Sequence, residues 1–420
     1  MNARDRSRRS LAGLLGVGVA VATAGSVLVG CGVGAGSGSL AGQGTNPATS
    51  ASAPPSSPAS SLGSTSTSDP NAAAARCVRE LVETLSPQER IGQLLMVALD
   101  SGSDVGGVDA QVTDQHVGGV ILLGRWSGTT SVTAATHHLN SLAGGVGLFL
   151  AADQEGGQVQ PLRGPGFSAI PSATDQGALS PSALRTSATT WADELAESGI
   201  NVNLAPVADT VPADLGTANE PIGKHHREYG ATPAAVIPGV EAFIEGMHAG
   251  GVAATVKHFP GLGRVRDNTD YSAAEITDVV TTATDPYLEP FRAGIAAGAD
   301  FVMVGSANYP NIDAKNQALF SSAVIDGVLR GHLGYRGVVI TDDVGAAASV
   351  SAVPVGERAT RFLAAGGDIV LTASPATIAP MASAIEERAA TDEAFARQVE
   401  GAVNRVLTLK RARGLATCAP

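Results

Sequence analysis

"GVAATVKHFPGLG" (251–263) runs through consecutive apolar and β-branched positions, changes character at Lys257-His258, and then enters a Gly-rich turn. Apolar side chains at successive rather than alternate positions mark a strand covered on both faces, the condition of a parallel sheet. Seven further stretches share the pattern: "LLMVAL" (94–99), "GGVILL" (118–123), "GLFLAAD" (147–153), "VNLAPVAD" (202–209), "ADFVMVGS" (299–306), "GVVITDD" (337–343) and "GDIVLTA" (367–373). Amphipathic segments that end at Gly, such as "PSALRTSATTWADELAESG" (181–199) and "TPAAVIPGVEAFIEGMHAGG" (232–251), lie between them. Ahead of the first, Ser86-Pro87-Gln88-Glu89 predicts a helix start, with a cap residue, Pro at the first helical position and Glu three past the cap. Eight strand–helix units over about 345 residues predict an α/β fold of the TIM (β/α)8 type, a single catalytic barrel over 76–420.

A barrel of this kind places its chemistry at the C-terminal ends of its strands. Those ends carry Asp153, Asn203 and Asp209, Lys257-His258, Ser306, and Asp342-Asp343. No G-x-G-x-x-G follows the first strand, and no P-loop, H-E-x-x-H or G-x-S-x-G motif occurs. What remains is carboxylate chemistry. Two carboxyl groups about 5–5.5 Å apart can run a double displacement at an anomeric carbon, one attacking while the other shuttles the proton.

Four ordered stretches carry a family resemblance: "ADQEGGQVQPL" (152–162), "GINVNLAPVAD" (199–209), "KHFPGLG" (257–263) and "GYRGVVITDDV" (334–344). They resemble the bacterial β-N-acetylhexosaminidases of glycoside hydrolase family three, over the chain from about Ser86 to Leu415. The resemblance implies a retaining exo-β-N-acetylglucosaminidase that hydrolyses terminal GlcNAc from peptidoglycan fragments and needs neither cofactor nor metal. It makes Asp342 the nucleophile, whose charged form a nearby cation would favour, and leaves Asp343 to cap or pack. Asp153 corresponds to the carboxylate that accepts from sugar hydroxyls, and Lys257 with His258 to the pair that contacts the ring from the opposite side. "PIGKHHREYG" (221–230) has two residues more than the family pattern and puts Arg227 at the substrate-binding arginine. Gln158 and Pro161 stand where the family has arginines.

The proton shuttle departs from the pattern. Relatives carry a Gly-rich motif with His, followed by D-S-H; here those positions are Leu262 and Asn268-Thr269-Asp270. Three readings are open. Asp270 takes the shuttle role as an acid raised by the Asp342 charge. Asp267 swings in on a loop freed by Gly261 and Gly263. Or the domain binds glycans with little or no cleavage. An anionic Asp270 would repel phosphate, so hydrolysis is expected rather than phosphorolysis. A β-glucosidase-type specificity within the same family is the further alternative.

The remainder of the chain sets the compartment. Residues 1–30 have a basic head and an apolar run from Leu11 to Val29, then Gly30-Cys31. This resembles a lipoprotein signal peptide with lipidation of Cys31, although the run is also almost long enough for a spanning anchor. Arg8-Arg9 is a weak hint of twin-arginine export. Residues 31–75 are Gly, Ser, Thr, Ala and Pro with almost no large apolar side chain, the composition of a flexible tether whose span is on the order of 35 Å. An extracytoplasmic, membrane-tethered location follows, and there Cys77 and Cys418 are expected to form a disulfide joining the two ends of the folded region. The net charge is −12, and with four Arg against one Asp in the first thirty residues the remainder carries −15. Such a surface excludes nucleic acid as a partner. The expected partners are a GlcNAc-containing glycan and, through the lipid alone, the membrane; the domain is expected to be a monomer.

Overall fold

The computed structural model describes residues 70–418, apart from Glu275. Signal peptide, Cys31 and most of the tether therefore lie outside the described residues. Helix Pro70–Thr84 corrects the tether's far boundary, because the chain is already helical from residue 70 rather than 76. The stretch is rich in Ala, which cannot build a core yet is the strongest helix former, so a composition poor in large apolar residues does not exclude a helix. Next, Ser86 caps the short helix Pro87–Gly92: its hydroxyl accepts from the Glu89 N–H, and the Glu89 carboxylate accepts from the Ser86 N–H.

All eight apolar stretches form parallel strands: β1 Leu95–Asp100, β2 Gly119–Leu123, β3 Phe149–Ala152, β4 Val202–Asn203, β5 Ala253–Phe259, β6 Phe301–Val304, β7 Val338–Thr341 and β8 Val370–Thr372. From β1 to β7 each strand pairs with the next in sequence, and β1 also pairs with β8. The last gap closes where Ile340 bridges Ile369 and Thr341 Oγ1 accepts the Leu371 N–H at 2.9 Å. The result is a TIM-type barrel with helices outside. Every residue of β3, β5, β6, β7 and β8 is buried, as two-sided cover requires.

The N-terminal end of the barrel is plugged by Lys410 from the last helix, Glu393–Ala412. Its ammonium donates to Gln93 Oε1 at 2.6 Å and to the carbonyls of Gly118 and Gly147 at 2.8 and 2.7 Å, which satisfies all three of its protons in the interior. Cys77 and Cys418 are joined by a disulfide with Cα atoms 5.5 Å apart, so the helix at the start of the domain is tied to the segment after the last one. No helix among the described residues is long and apolar enough to cross a membrane.

Candidate active site

A cavity of about 680 Å³ opens at the C-terminal ends of the strands and is lined by Asp153, Arg227, Lys257, His258, Asp270 and Asp342, among others. The six residues expected at the site thus share one hollow. A second hollow of about 720 Å³ lies at the opposite end of the barrel, beside Asp300, Tyr335 and Arg405. Its carboxylate, Asp300, is held by His248 and Arg413, with nothing facing it that could act as a second reacting acid. Chemistry rather than volume separates the two.

One wall is built around a buried carboxylate. Glu155 accepts from Arg227 Nε and Nη2, both at 2.8 Å, and from Lys257 Nζ at 2.6 Å. Burial alone would raise its pKa, but the charges of Arg227 and Lys257 outweigh burial and hold it at about 2. Lys257 also donates to Asp153 at 2.6 Å. Burial disfavours this ammonium, yet the two carboxylates more than offset that and raise its pKa. Asp153, just after β3, and Lys257, in β5, thus meet as an ion pair across the short β4.

His258 is fixed by Asp209, which accepts from its ring Nδ1 at 2.8 Å and from its backbone N–H at 3.2 Å. The other oxygen of Asp209 takes the Leu262 N–H at 2.7 Å, pinning the start of the Gly-rich loop. Arg227 Nη2 lies 3.3 Å from His258 Nε2. A guanidinium only donates, so this contact assigns the Nε2 lone pair toward Arg227 and the proton to Nδ1.

The other wall is acidic. Asp342 follows β7, with its N–H on the Val304 carbonyl at 3.0 Å and its Oδ1 accepting the Asp343 N–H at 2.9 Å. No cation forms an ion pair with it among the described residues, since the cavity's cations are committed to Glu155 and Asp153; the expected neighbouring cation is replaced by a backbone donor. Asp343 has the packing role, accepting from the N–H groups of Gly345, Ala346 and Ala373.

Asp270 reaches the same cavity because two loops are stitched together: the carbonyls of Thr269 and Asp270 accept the N–H groups of Ser349 and Ala348 at 3.1 and 3.0 Å. Packing at the mouth and, after it, the Asp342 charge push the Asp270 carboxyl up to about 6, against the opposing pull of Arg227. Solvent reaches this side chain and screens part of the first effect, so the Asp342 charge is the cause on which its chemistry rests. Asp267 is absent from the lining, and its carboxylate accepts from Ser272 Oγ at 2.9 Å.

Sequence reasoning passed over Glu155 and the use of Asp209. Both stood inside quoted stretches, and the available signal was a charge count: a buried Lys and a half-buried Arg need carboxylates, and Asp153 alone does not suffice.

A closed (β/α)8 barrel with a sugar-sized cavity, one wall of paired cations and another of carboxylates, has the outline of a barrel glycosidase. Residues 86–409 match the family described as "Glycosyl hydrolase family 3 N terminal domain". The chain is 37% identical over 283 residues to a beta-hexosaminidase of Xanthomonas oryzae pv. oryzae, covering 65% of this chain and 82% of the relative. Its fold is similar to that of the beta-N-acetylhexosaminidase from Beutenbergia cavernae, with a TM-score of 0.75 and 47% identity over 79% of this chain and 99% of that one. It is also similar to a family 3 beta-N-acetylglucosaminidase from Paenibacillus, with a TM-score of 0.70 and 30% identity over 80% and 64% of the two chains. The chain belongs to glycosyl hydrolase family 3 and is a glycoside hydrolase.

Proposed function

We propose that the enzyme is a retaining exo-β-N-acetylglucosaminidase, with Asp342 as nucleophile and Asp270 as acid and base. The observation that carries this reading is the shared cavity of the two carboxyls, with Asp270 raised partly by the Asp342 charge. Asp342 attacks C1 as the Asp270 proton passes to the glycosidic oxygen, and the aglycone leaves. The Asp270 carboxylate then takes a proton from water, whose oxygen attacks C1 and releases Asp342. Asp153, Lys257, His258 and Arg227 hold the sugar in register, positioned by Glu155 and Asp209. Asp267 has no part in the reaction.

Acetamido specificity is supported by the names of the relatives with 37% and 47% identity. The acceptor is water, because an anionic Asp270 beside Asp343 repels an incoming phosphate. An extracytoplasmic location is supported by the disulfide, which suits an oxidising compartment, and lipidation at Cys31 by the basic head, apolar run and Gly30-Cys31 of the N-terminal sequence; together they make peptidoglycan fragments the accessible substrate. Chromogenic glycosides with NMR analysis of the first-formed anomer test the reading. Turnover of 2-acetamido β-glycosides rather than β-glucosides, with retention, supports it; preference for β-glucoside, inversion, or binding without cleavage refutes it.

A further inference from the structure

A smaller hollow of about 230 Å³ adjoins the cavity, lined by Arg125, Asp153, Gln158, Gln160, Pro161 and Arg163, among others. Asp153 and Gln158 belong to both spaces, whereas Asp342 and Asp270 line only the larger one. The annex therefore opens beside the carboxylate proposed to accept sugar hydroxyls, and away from the acid that serves the leaving group.

Its charge is unusual for this protein. The whole chain carries −12, yet two guanidinium groups face this hollow, and neither forms an ion pair among the described residues. The annex's one carboxylate, Asp153, already holds Lys257 at 2.6 Å. Arg163 is fixed in place, donating from Nε to the Gln160 carbonyl and from Nη2 to the Gly157 carbonyl at 2.9 Å. Arg125 makes no side-chain hydrogen bond among the described residues; only its backbone N–H is engaged, by Ser101 Oγ at 2.8 Å. Both side chains are exposed, and arginines beside a polar hollow without carboxylate partners, one fixed and one free to turn, offer planar donor forks suited to a carboxylate or a phosphate. The Gln158 amide oxygen is turned to His225 Nδ1 at 3.1 Å, a contact that ties the annex rim to the Arg227 loop.

We propose that this annex is an anion subsite, which takes a carboxylate or phosphate substituent carried by the terminal sugar itself rather than by the aglycone. The inference rests on the glycosidase reading for the placement of that sugar. A substituted sugar then binds with its ring over Asp153 and its anion between Arg125 and Arg163. The subsite gives the acidic protein a local attraction for anionic glycans that its net charge opposes.

The test compares kcat/KM for three aryl β-glycosides: unsubstituted GlcNAc, its 3-O-lactyl ether, which carries a carboxylate, and its 6-phosphate. The expected result is an anionic-to-neutral ratio well above one for either the carboxylate or the phosphate, falling about tenfold or more in Arg125→Ala and weakening as salt is raised. Which ratio is elevated identifies the anion. Ratios at or below one in the wild type, or an elevated ratio that survives in Arg125→Ala and in Arg125→Ala/Arg163→Gln, overturn the subsite. Calorimetric binding of the free lactyl and phosphorylated sugars, with GlcNAc as reference, separates the two levels of the argument. Binding that depends on Arg125 without turnover of any glycoside upholds the annex and defeats the glycosidase reading. Turnover of the neutral glycoside with no binding preference does the reverse.

Discussion

Replacing Asp270 by Asn tests the centre of the mechanism, because the substitution keeps shape and removes only the proton. With its carboxyl at about 6, Asp270 is about nine-tenths protonated at pH 5, about a tenth at pH 7 and about a hundredth at pH 8. The first irreversible step needs the protonated form, so kcat/KM for a GlcNAc disaccharide falls roughly a hundredfold between pH 5 and 8. In Asp270→Asn that limb disappears, and the rate at pH 5 drops by about 10²–10⁴, the range for a positioned general acid. A dinitrophenyl glycoside needs little protonation, so its kcat/KM loses far less and shows a shallow limb even in the wild type. Carboxyl NMR of Asp342→Asn adds a check independent of turnover: without the neighbouring charge the Asp270 pKa moves down toward 3.8. Equal losses on the two substrates, or a limb near pH 6 that persists in Asp270→Asn, would refute the assignment.

Asp342→Ala abolishes turnover, and a slow fluoro-glycoside labels Asp342 in the wild type; a labelled peptide without that residue, or full activity of the variant, removes it as nucleophile. Glu155→Ala leaves Arg227 and Lys257 without their shared carboxylate and costs about 3–5 kcal/mol by urea unfolding. The folded value of Glu155, about 2, lies below its ordinary 4.5, so its contribution is present above pH 4.5 and lost as pH falls toward 2. A wild-type acid-unfolding curve that matches the variant's over that interval contradicts the assignment. Cys77→Ser opens a loop of 341 residues and lowers stability by at most about 6 kcal/mol on chain-entropy grounds; loss of GlcNAc affinity at temperatures where the variant stays folded would show an effect beyond the tie between chain ends.

The barrel was legible because its strands announce themselves locally. A run such as "GVVITDD" combines two-sided burial with an acidic end, and both properties are readable without knowing any neighbour. The partners of the cationic wall were not, since Glu155 meets Arg227 across 72 positions and Asp209 meets His258 across 49. Such pairings exist only once the barrel brings the strand ends together. Arg227 shows the intermediate case: the two extra residues in "PIGKHHREYG" obscured its alignment, while the loop geometry turns its guanidinium onto Glu155 and the Pro221 carbonyl at 2.7 Å. Asp270 and Asp267 could not be separated by reach alone. The backbone bonds to Ala348 and Ser349 hold the Asp270 carboxyl at the cavity, while the Asp267 carboxylate stays with Ser272.

The exchange of a shuttle histidine for Asp270 moves the tuning of the acid from residue type to environment. An imidazole is half protonated near neutrality unaided, whereas an ordinary aspartate is protonated at pH 7 in fewer than about one molecule in a thousand. At about 6 the protonated fraction rises roughly a hundredfold, and part of that gain comes from the nucleophile's own charge. In the proposed mechanism the sequence of charges then regulates itself. While Asp342 is anionic, Asp270 is held as an acid; when Asp342 becomes esterified to the sugar its charge is gone, the Asp270 pKa falls, and the residue is left as the base that the second step requires. On the proposed mechanism, Asp270, held at the Asp342 cavity by a loop-to-loop backbone link, serves as acid and base in turn, and the loop after Gly263 needs no histidine for that role.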